Sequence, residues 1–337
     1  MNYRTFGRSG LRVSELFLGA MTFGENWGWG ASLDECRKMI DMYADAGGNV
    51  IDTANNYTDG ASEQIVGELL RTRRDRFVLS SKYTLTLDPA DPNASGNHRK
   101  SLRRLLDQSL SRLNTDRIDL LWVHIWDSLT PIEETMRALD DAVRAGKVLY
   151  VGISDTPAWV VSRANTLAAL RGWSPFIGIQ VPYSLVQRDI ERELLPMADE
   201  LSLSVAAWSP LGAGRLTGKF TRGSDGGPSR TDRDDVSERD LTIAREVDAV
   251  ADDLGVTSSQ VALAWTMAHR PSVHPIVGAR RLEQLSDNLA ATDVALPDEA
   301  LRRLDEAGAI ELGFPHDFIA STRNFVYGSV ADRVANR

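Results

Sequence analysis

Short apolar runs alternate with longer amphipathic stretches along almost the whole chain. Leu16-Phe17-Leu18, Val50-Ile51-Asp52, Phe77–Ser81, Ile118–His124, Val148–Ser154, Phe176–Val181, Ser204–Trp208 and Pro275-Ile276-Val277 read as eight strands. Each is short and apolar on both faces, as a buried parallel strand requires. Helical periodicity fills the gaps. Ser32-Leu33-Asp34-Glu35 is a capping box, and the helix behind it carries Met39, Ile40 and Tyr43 on one face and stops at Gly47-Gly48. Leu102, Leu105, Leu106, Leu110 and Leu113 form another stripe. Thr130-Pro131-Ile132-Glu133 opens a helix with proline in its first turn and a glutamate placed for a second capping box. Further helices are expected over 62–71, 157–170, 190–201, 238–254, 258–268 and 281–291.

Eight strand–helix units in unbroken series predict an α/β fold, a (β/α)8 TIM barrel. Tyr3 to Val13 alternates around Gly7–Gly10 and predicts a β-hairpin plugging the barrel bottom. Asp298–Ala307 predicts an extra C-terminal helix. Arg222 to Asp235, rich in Gly, Ser, Asp and Arg, lacks periodicity and reads as a polar loop. No linker interrupts the pattern, so residues 1–337 read as a single barrel domain.

Composition narrows the function. With 42% hydrophobic and 25% charged residues the chain is neither disordered nor fibrous. A formal charge of −9 argues against general binding to nucleic acid or to an anionic membrane surface. The lone cysteine, Cys36, excludes an intrachain disulfide and a multi-thiolate metal site, and no H-E-x-x-H spacing occurs, so no metal is expected. The N-terminus does not read as a signal peptide, and no apolar run approaches the roughly 18 residues of a membrane span. The expected compartment is the cytoplasm.

Active sites of this fold sit at the C-terminal ends of the strands. The second strand ends in Asp52, with Tyr57 just beyond it; the third ends in Ser81-Lys82; the fourth ends in His124. A tyrosine is a poor proton donor at pH 7 unless its phenolate is stabilised, and a nearby lysine lowers its pKa. An aspartate would hold that lysine charged, and a histidine could place a substrate oxygen. Singly, each has a plainer reading: a loop-capping Asp, a surface Lys, a core His, a packing Tyr. Their convergence from successive strand ends favours an acid catalyst for a developing alkoxide. In the second half, Trp208-Ser209-Pro210-Leu211-Gly212-Ala213-Gly214 and Gly278-Ala279-Arg280 follow the last two strands, where this fold binds phosphate. A glycine-rich turn is the plainer alternative. Trp27 and Trp29 follow the first strand and either line a substrate pocket or simply pack. The basic cluster Arg99, Lys100, Arg103 and Arg104 reads as a solvated helix face.

These residues resemble the aldo-keto reductases. The likeness runs through Gly48-Asn49-Val50-Ile51-Asp52-Thr53-Ala54-Asn55-Asn56-Tyr57, Ser81-Lys82, Val123-His124-Ile125-Trp126-Asp127, Gly152-Ile153-Ser154-Asp155, Gln180, Trp208-Ser209-Pro210-Leu211 and Gly278-Ala279-Arg280 with Gln284, Asp287 and Asn288. The wording is similar to the branch holding bacterial reductases and potassium-channel β subunits. The resemblance implies reduction of a small-molecule carbonyl substrate by NADPH, with NADH as the alternative, Tyr57 donating the proton, Lys82 and Asp52 tuning it, and His124 orienting the oxygen. It implies Ser154, Asp155 and Gln180 at the nicotinamide carboxamide and Trp208 stacked on the ring, with Gly19 and Met21 also on the cofactor. Ser209, Leu211, Gly212, Gly214 and Lys219 would hold the pyrophosphate. Gly278, Arg280, Gln284, Asp287 and Asn288 would hold the adenosine end, Arg280 suiting a 2′-phosphate. Trp27, Trp29, Tyr57, His124 and Trp126 would line the substrate pocket, joined by Tyr183 and the segment from Phe314 to Tyr327. Asp155 stands where many members carry Asn, and Trp208 where Tyr is usual. A second implied reading is an NADP(H)-binding regulatory subunit like the channel β subunits. Monomer and homo-oligomer are both open.

Overall fold

The eight apolar runs become parallel strands of one closed barrel in the computed structural model, which describes residues 1–223 and 231–333. An antiparallel pair, β1 (Tyr3–Thr5) and β2 (Arg12–Ser14), precedes it. The barrel runs through β3 (Phe17–Gly19), β4 (Val50–Asp52), β5 (Val78–Tyr83), β6 (Ile118–Val123), β7 (Val148–Ser154), β8 (Phe176–Pro182), β9 (Ser204–Trp208) and β10 (Val273–Val277), which closes on β3. Because all eight run parallel, their C-terminal ends share one mouth. The register sets neighbours level there: Gly19 beside Asp52, Lys82 beside Trp122, Ser154 beside Gln180, and Pro182 beside Trp208.

The hairpin closes the opposite end. Phe6, in its turn, is fully buried, with ring centroids 5.8 Å from Phe17, 6.2 Å from Trp122 and 5.6 Å from His274. Two glycines admit it. A Cβ on Gly7, which has φ +55°, would fall 1.9 Å from the Ile177 carbonyl oxygen, and one on Gly178 would fall 2.5 Å from the Phe6 ring.

The helices wrap the barrel as α1 (Leu33–Asp45), α2 (Ala61–Leu70), α3 (Arg99–Arg112), α4 (Ile132–Arg144), α5 (Ala158–Arg171), α6 (Leu194–Leu201), α7 (Glu238–Leu254), α8 (Ser258–Ala268) and α9 (Leu282–Ala290). The expected α10 (Asp298–Ala307) and a further α11 (His316–Tyr327) follow. The box at Ser32 forms: the Glu35 N–H donates to Ser32 Oγ, and the Ser32 N–H to Glu35 Oε2 at 2.9 Å.

Three expectations fail for identifiable reasons. The second capping box is absent, because Thr130 Oγ1 donates to Asp127 Oδ2 at 2.5 Å, Glu133 pairs with Arg163, and Pro131 becomes the cap. The helix expected over 190–201 is split into a 3₁₀ turn, Asp189–Glu191, and α6. Pro196 lacks the N–H that would bond the Arg192 carbonyl, so it fits only the first turn of a new helix. The segment from Phe314 to Tyr327 does not line the site: it carries α11 on the outside, with Phe314 and Phe325 almost fully exposed. Within the polar loop Arg222–Asp235, residues 224–230 lie outside the described residues; on its flanks Arg222 pairs with Asp252 and a 3₁₀ turn covers Arg233–Asp235.

Candidate active site

Asp52 ends β4 and Lys82 lies on β5, so adjacent parallel strands aim both at the mouth. Both side chains are buried. Lys82 Nζ donates to Asp52 Oδ2 at 2.5 Å and to the Thr53 carbonyl oxygen at 2.8 Å. Asp52 Oδ1 accepts from Ser80 Oγ at 2.6 Å and from Gln180 Nε2 at 3.1 Å. An ammonium has three N–H donors, so one remains. The Tyr57 ring centroid is 4.6 Å from this nitrogen. Burial works against the lysine charge, but Asp52 and Tyr57 outweigh it and the Lys82 pKa is raised.

Tyr57 enters the mouth on a contorted loop. Thr58, Asp59 and Gly60 have φ of +47°, +58° and +90°, three left-handed residues in succession. Thr58 Oγ1 anchors the loop by donating to the Phe23 carbonyl oxygen at 2.7 Å. The expected lowering of the tyrosine pKa is reversed. Burial dominates and raises it, Lys82 pulls it down, and the negative charge of Asp52 adds to the rise. The hydroxyl is therefore protonated at neutral pH, with a cation beside it to take up the charge of the phenolate. His124 follows β6, its backbone N–H donating to the Tyr83 carbonyl oxygen at 3.0 Å. Its ring stands edge-on to Tyr57, centroids 5.9 Å apart at 82°. Burial, helped by Lys82, pushes its pKa down to about 3, so the imidazole is neutral.

Asp52, Tyr57 and His124 face a cavity of about 470 Å³, while Lys82 is buried outside its lining and reaches it only through Asp52 and the Tyr57 ring. Gly19, Met21, Trp27, Ser154, Asp155, Gln180, Trp208, Ser209 and Gly278 also line it. Trp208 is 38% exposed and donates Nε1–H to Asp155 Oδ1 at 3.1 Å. A second cavity, of about 300 Å³, is lined by Ser209, Leu211, Gly214, Lys219, Gly278, Arg280, Gln284, Asp287 and Asn288. Thr22, Ser209, Ala213, Ile276 and Gly278 border both, so the two are continuous.

The second cavity fits the phosphate-bearing part of a dinucleotide. Its cations are Lys219 and Arg280, and the short 3₁₀ turn Gly212–Gly214 and the start of α9 border it. A Cβ on Gly278 would meet only the Gly19 carbonyl oxygen, at 3.9 Å, so its bare Cα leaves floor that a ligand can touch. Asp287 is already engaged, accepting from Thr257 Oγ1 at 2.9 Å and Gln260 Nε2 at 2.8 Å.

Several expected residues fall elsewhere. Gly212 is buried beneath the loop; its φ is +58° and a Cβ would meet Val186 at 2.6 Å, so it shapes the turn rather than facing either cavity. Trp29 packs against Trp27 with tilted rings, 5.7 Å between centroids, outside the cavity wall. Trp126 packs edge-on against Trp159, and Tyr183 is buried against Trp265 with its hydroxyl donating to Glu191. For Trp126 and Tyr183 a partner distant in sequence takes the ring. Sequence reasoning missed Thr22, Asn56, Leu85 and Ile276. Only their positions just after strand ends, or for Ile276 within the last strand, would have signalled them. Among the described residues no cluster of three or more His, Cys, Asp or Glu could hold a metal, and no helix is long and apolar enough to cross a membrane.

The model of the aldo/keto reductase family matches residues 15–309. A norsolorinic acid reductase of Aspergillus flavus is 40% identical, over 93% of this chain and 82% of that protein. An aryl-alcohol dehydrogenase of Pestalotiopsis microspora is 38% identical, over 92% and 82%. An NADP(+) aryl-alcohol dehydrogenase of Phanerodontia chrysosporium is 37% identical, over 91% and 86%. A match of this extent on a closed eight-stranded barrel decides the matter: the chain belongs to the aldo/keto reductase family and is an NAD(P)H-dependent enzyme of carbonyl reduction.

Proposed function

We propose that the protein reduces aromatic aldehydes or ketones to alcohols with NADPH, using Tyr57 as proton donor. The observation that carries this reading is that Tyr57, Asp52 and His124 line one end of a continuous two-part cavity, with buried Lys82 bonded to Asp52 and 4.6 Å from the Tyr57 ring centroid. When bound, the nicotinamide supplies the hydride. The chain supplies the rest. Tyr57, held protonated by burial, gives its proton to the carbonyl oxygen. Lys82, charged and fixed by Asp52, stabilises the phenolate left behind. Neutral His124 offers a ring N–H that orients the same oxygen. Trp27, Leu85 and Trp208 give the cavity flat or apolar walls suited to an aromatic ring. The relatives named for aryl alcohols and norsolorinic acid support that substrate class, and Arg280 together with the relative named for NADP(+) supports the phosphorylated cofactor.

The test is titration with NADPH and NADH, following tryptophan fluorescence, with turnover of 4-nitrobenzaldehyde alongside. NADPH binding tighter than NADH binding, with turnover, is the expected result. Binding of neither nucleotide would overturn the reading.

A further inference from the structure

The charges lining the catalytic cavity do not cancel. Among the described residues its ionisable side chains are Asp52, Tyr57, His124 and Asp155. Asp52 is matched by Lys82, His124 is neutral, and Tyr57 is protonated at neutral pH. Asp155 makes no salt bridge among the described residues. Burial pushes its pKa up, while the Trp208 N–H, Ser154 and Lys82 favour the carboxylate. The wall therefore carries one uncompensated negative charge, set where β7 meets the mouth.

That charge lies where a nicotinamide would have to sit. A dinucleotide entering from the Arg280 end passes the Ser209–Gly214 loop and reaches the catalytic cavity across Ser209, Ala213 and Gly278. Its ring must stand within hydride reach of a carbonyl held by Tyr57 and His124. The ends of β7, β8 and β9 border that space with Asp155, Gln180 and Trp208. Asp155 and Trp208 are also bonded to each other, so carboxylate and indole form one fixed wall. Reduced and oxidised nicotinamides carry the same phosphates and differ by one unit of ring charge.

Resting on the cofactor reading above, we propose that Asp155 is a specificity-determining residue for the oxidation state of the cofactor: its carboxylate favours the cationic NADP+ over neutral NADPH. The physical reason is Coulombic attraction at the cavity mouth, where the exposed Asp155 carboxylate is partly screened by solvent but lies against the space the ring must occupy. A site built this way holds product cofactor tightly in the reductive direction and favours alcohol oxidation when NADP+ is abundant.

Asp155→Asn is a clean probe. Asparagine is isosteric, its carbonyl can still accept from the Trp208 N–H, and it tolerates the left-handed φ of +44° found here. The experiment is calorimetric titration of wild type and variant with NADP+ and with NADPH at pH 7.5. The ratio of the two dissociation constants cancels any effect on the shared phosphates. The expected result is a shift of that ratio by roughly tenfold against NADP+, with unchanged melting temperature. Binding of both nucleotides with the same ratio in wild type and variant would overturn this inference and leave the cofactor reading intact. Failure of the wild type to bind either would overturn both.

Discussion

Lys82 Nζ lies 2.5 Å from Asp52 Oδ2, with both side chains closed off from solvent. Such a pair is balanced only while both members are present, because a buried charge without its partner keeps the whole cost of leaving water. Lys82→Met should therefore destabilise the protein by about 3–5 kcal/mol and lower turnover at least a hundredfold. Adding Asp52→Asn should restore much of the stability and none of the turnover. Denaturant unfolding and steady-state rates measure the two separately; recovery of activity in the double variant would contradict the role given to Lys82.

Tyr57→Phe removes the phenolic hydroxyl, and with it the transferable proton, while keeping the ring. The phenol faces the catalytic cavity and takes no part in lining the phosphate cavity. Turnover should fall by roughly a thousandfold, with the NADPH dissociation constant changed less than about threefold. Retention of most of the rate would remove Tyr57 as the acid.

Arg280 lines the second cavity and not the catalytic one, and its backbone N–H donates to Gln284 Oε1 at 3.1 Å. If it meets a 2′-phosphate, Arg280→Met should raise the KM for NADPH by roughly tenfold or more and leave that for NADH nearly unchanged, since a guanidinium binds phosphate far better than a ribose hydroxyl. Equal effects on both nucleotides would reject the NADPH assignment.

His274 lies on β10 near the barrel bottom, fully buried, stacked on Phe17 at 5.1 Å and close to the Ser14 carbonyl oxygen. Burial pushes its pKa down to about 4. Between that value and the ordinary histidine range near 6.5, the unfolded chain binds a proton that the folded one refuses. Stability is thus complete above pH 6.5 and declines as pH falls, by about 1.4 kcal/mol per unit from this group. In His274→Asn the stability–pH slope over that window should be shallower by about this amount. Identical slopes in urea unfolding would show that the ring is charged in the folded protein.

Phe6 plugs the barrel at the end opposite the chemistry. Phe6→Ala should cost about 3–5 kcal/mol of stability while leaving KM and kcat nearly unchanged at a temperature where the variant remains folded. A large KM change would mean that the bottom of the barrel communicates with its mouth.

The alternation of apolar runs and helical stripes was enough to infer the closed barrel, the hairpin and α10, because buried parallel strands and amphipathic helices each impose a local period on their own residues. The convergence of Asp52, Tyr57, Lys82 and His124 was legible for a related reason. In a parallel barrel every strand end points to one mouth, so position within the chain already specifies position in space.

Properties that depend on several segments at once belong to the tertiary structure. Trp126 and Tyr183 were open to selection as pocket residues until Trp159 and Trp265 claimed their rings. The pKa of Tyr57 turned on a contest between burial and Lys82 whose winner no spacing could predict. Asp155 stood out in sequence as a departure from asparagine, yet its bond to Trp208 and its unbalanced charge emerge only when β7 and β9 are brought together. Periodicity is a one-dimensional signal and so survives in the chain. Burial, partner choice and net cavity charge are sums over neighbours distant in sequence, and they exist only once the barrel has closed.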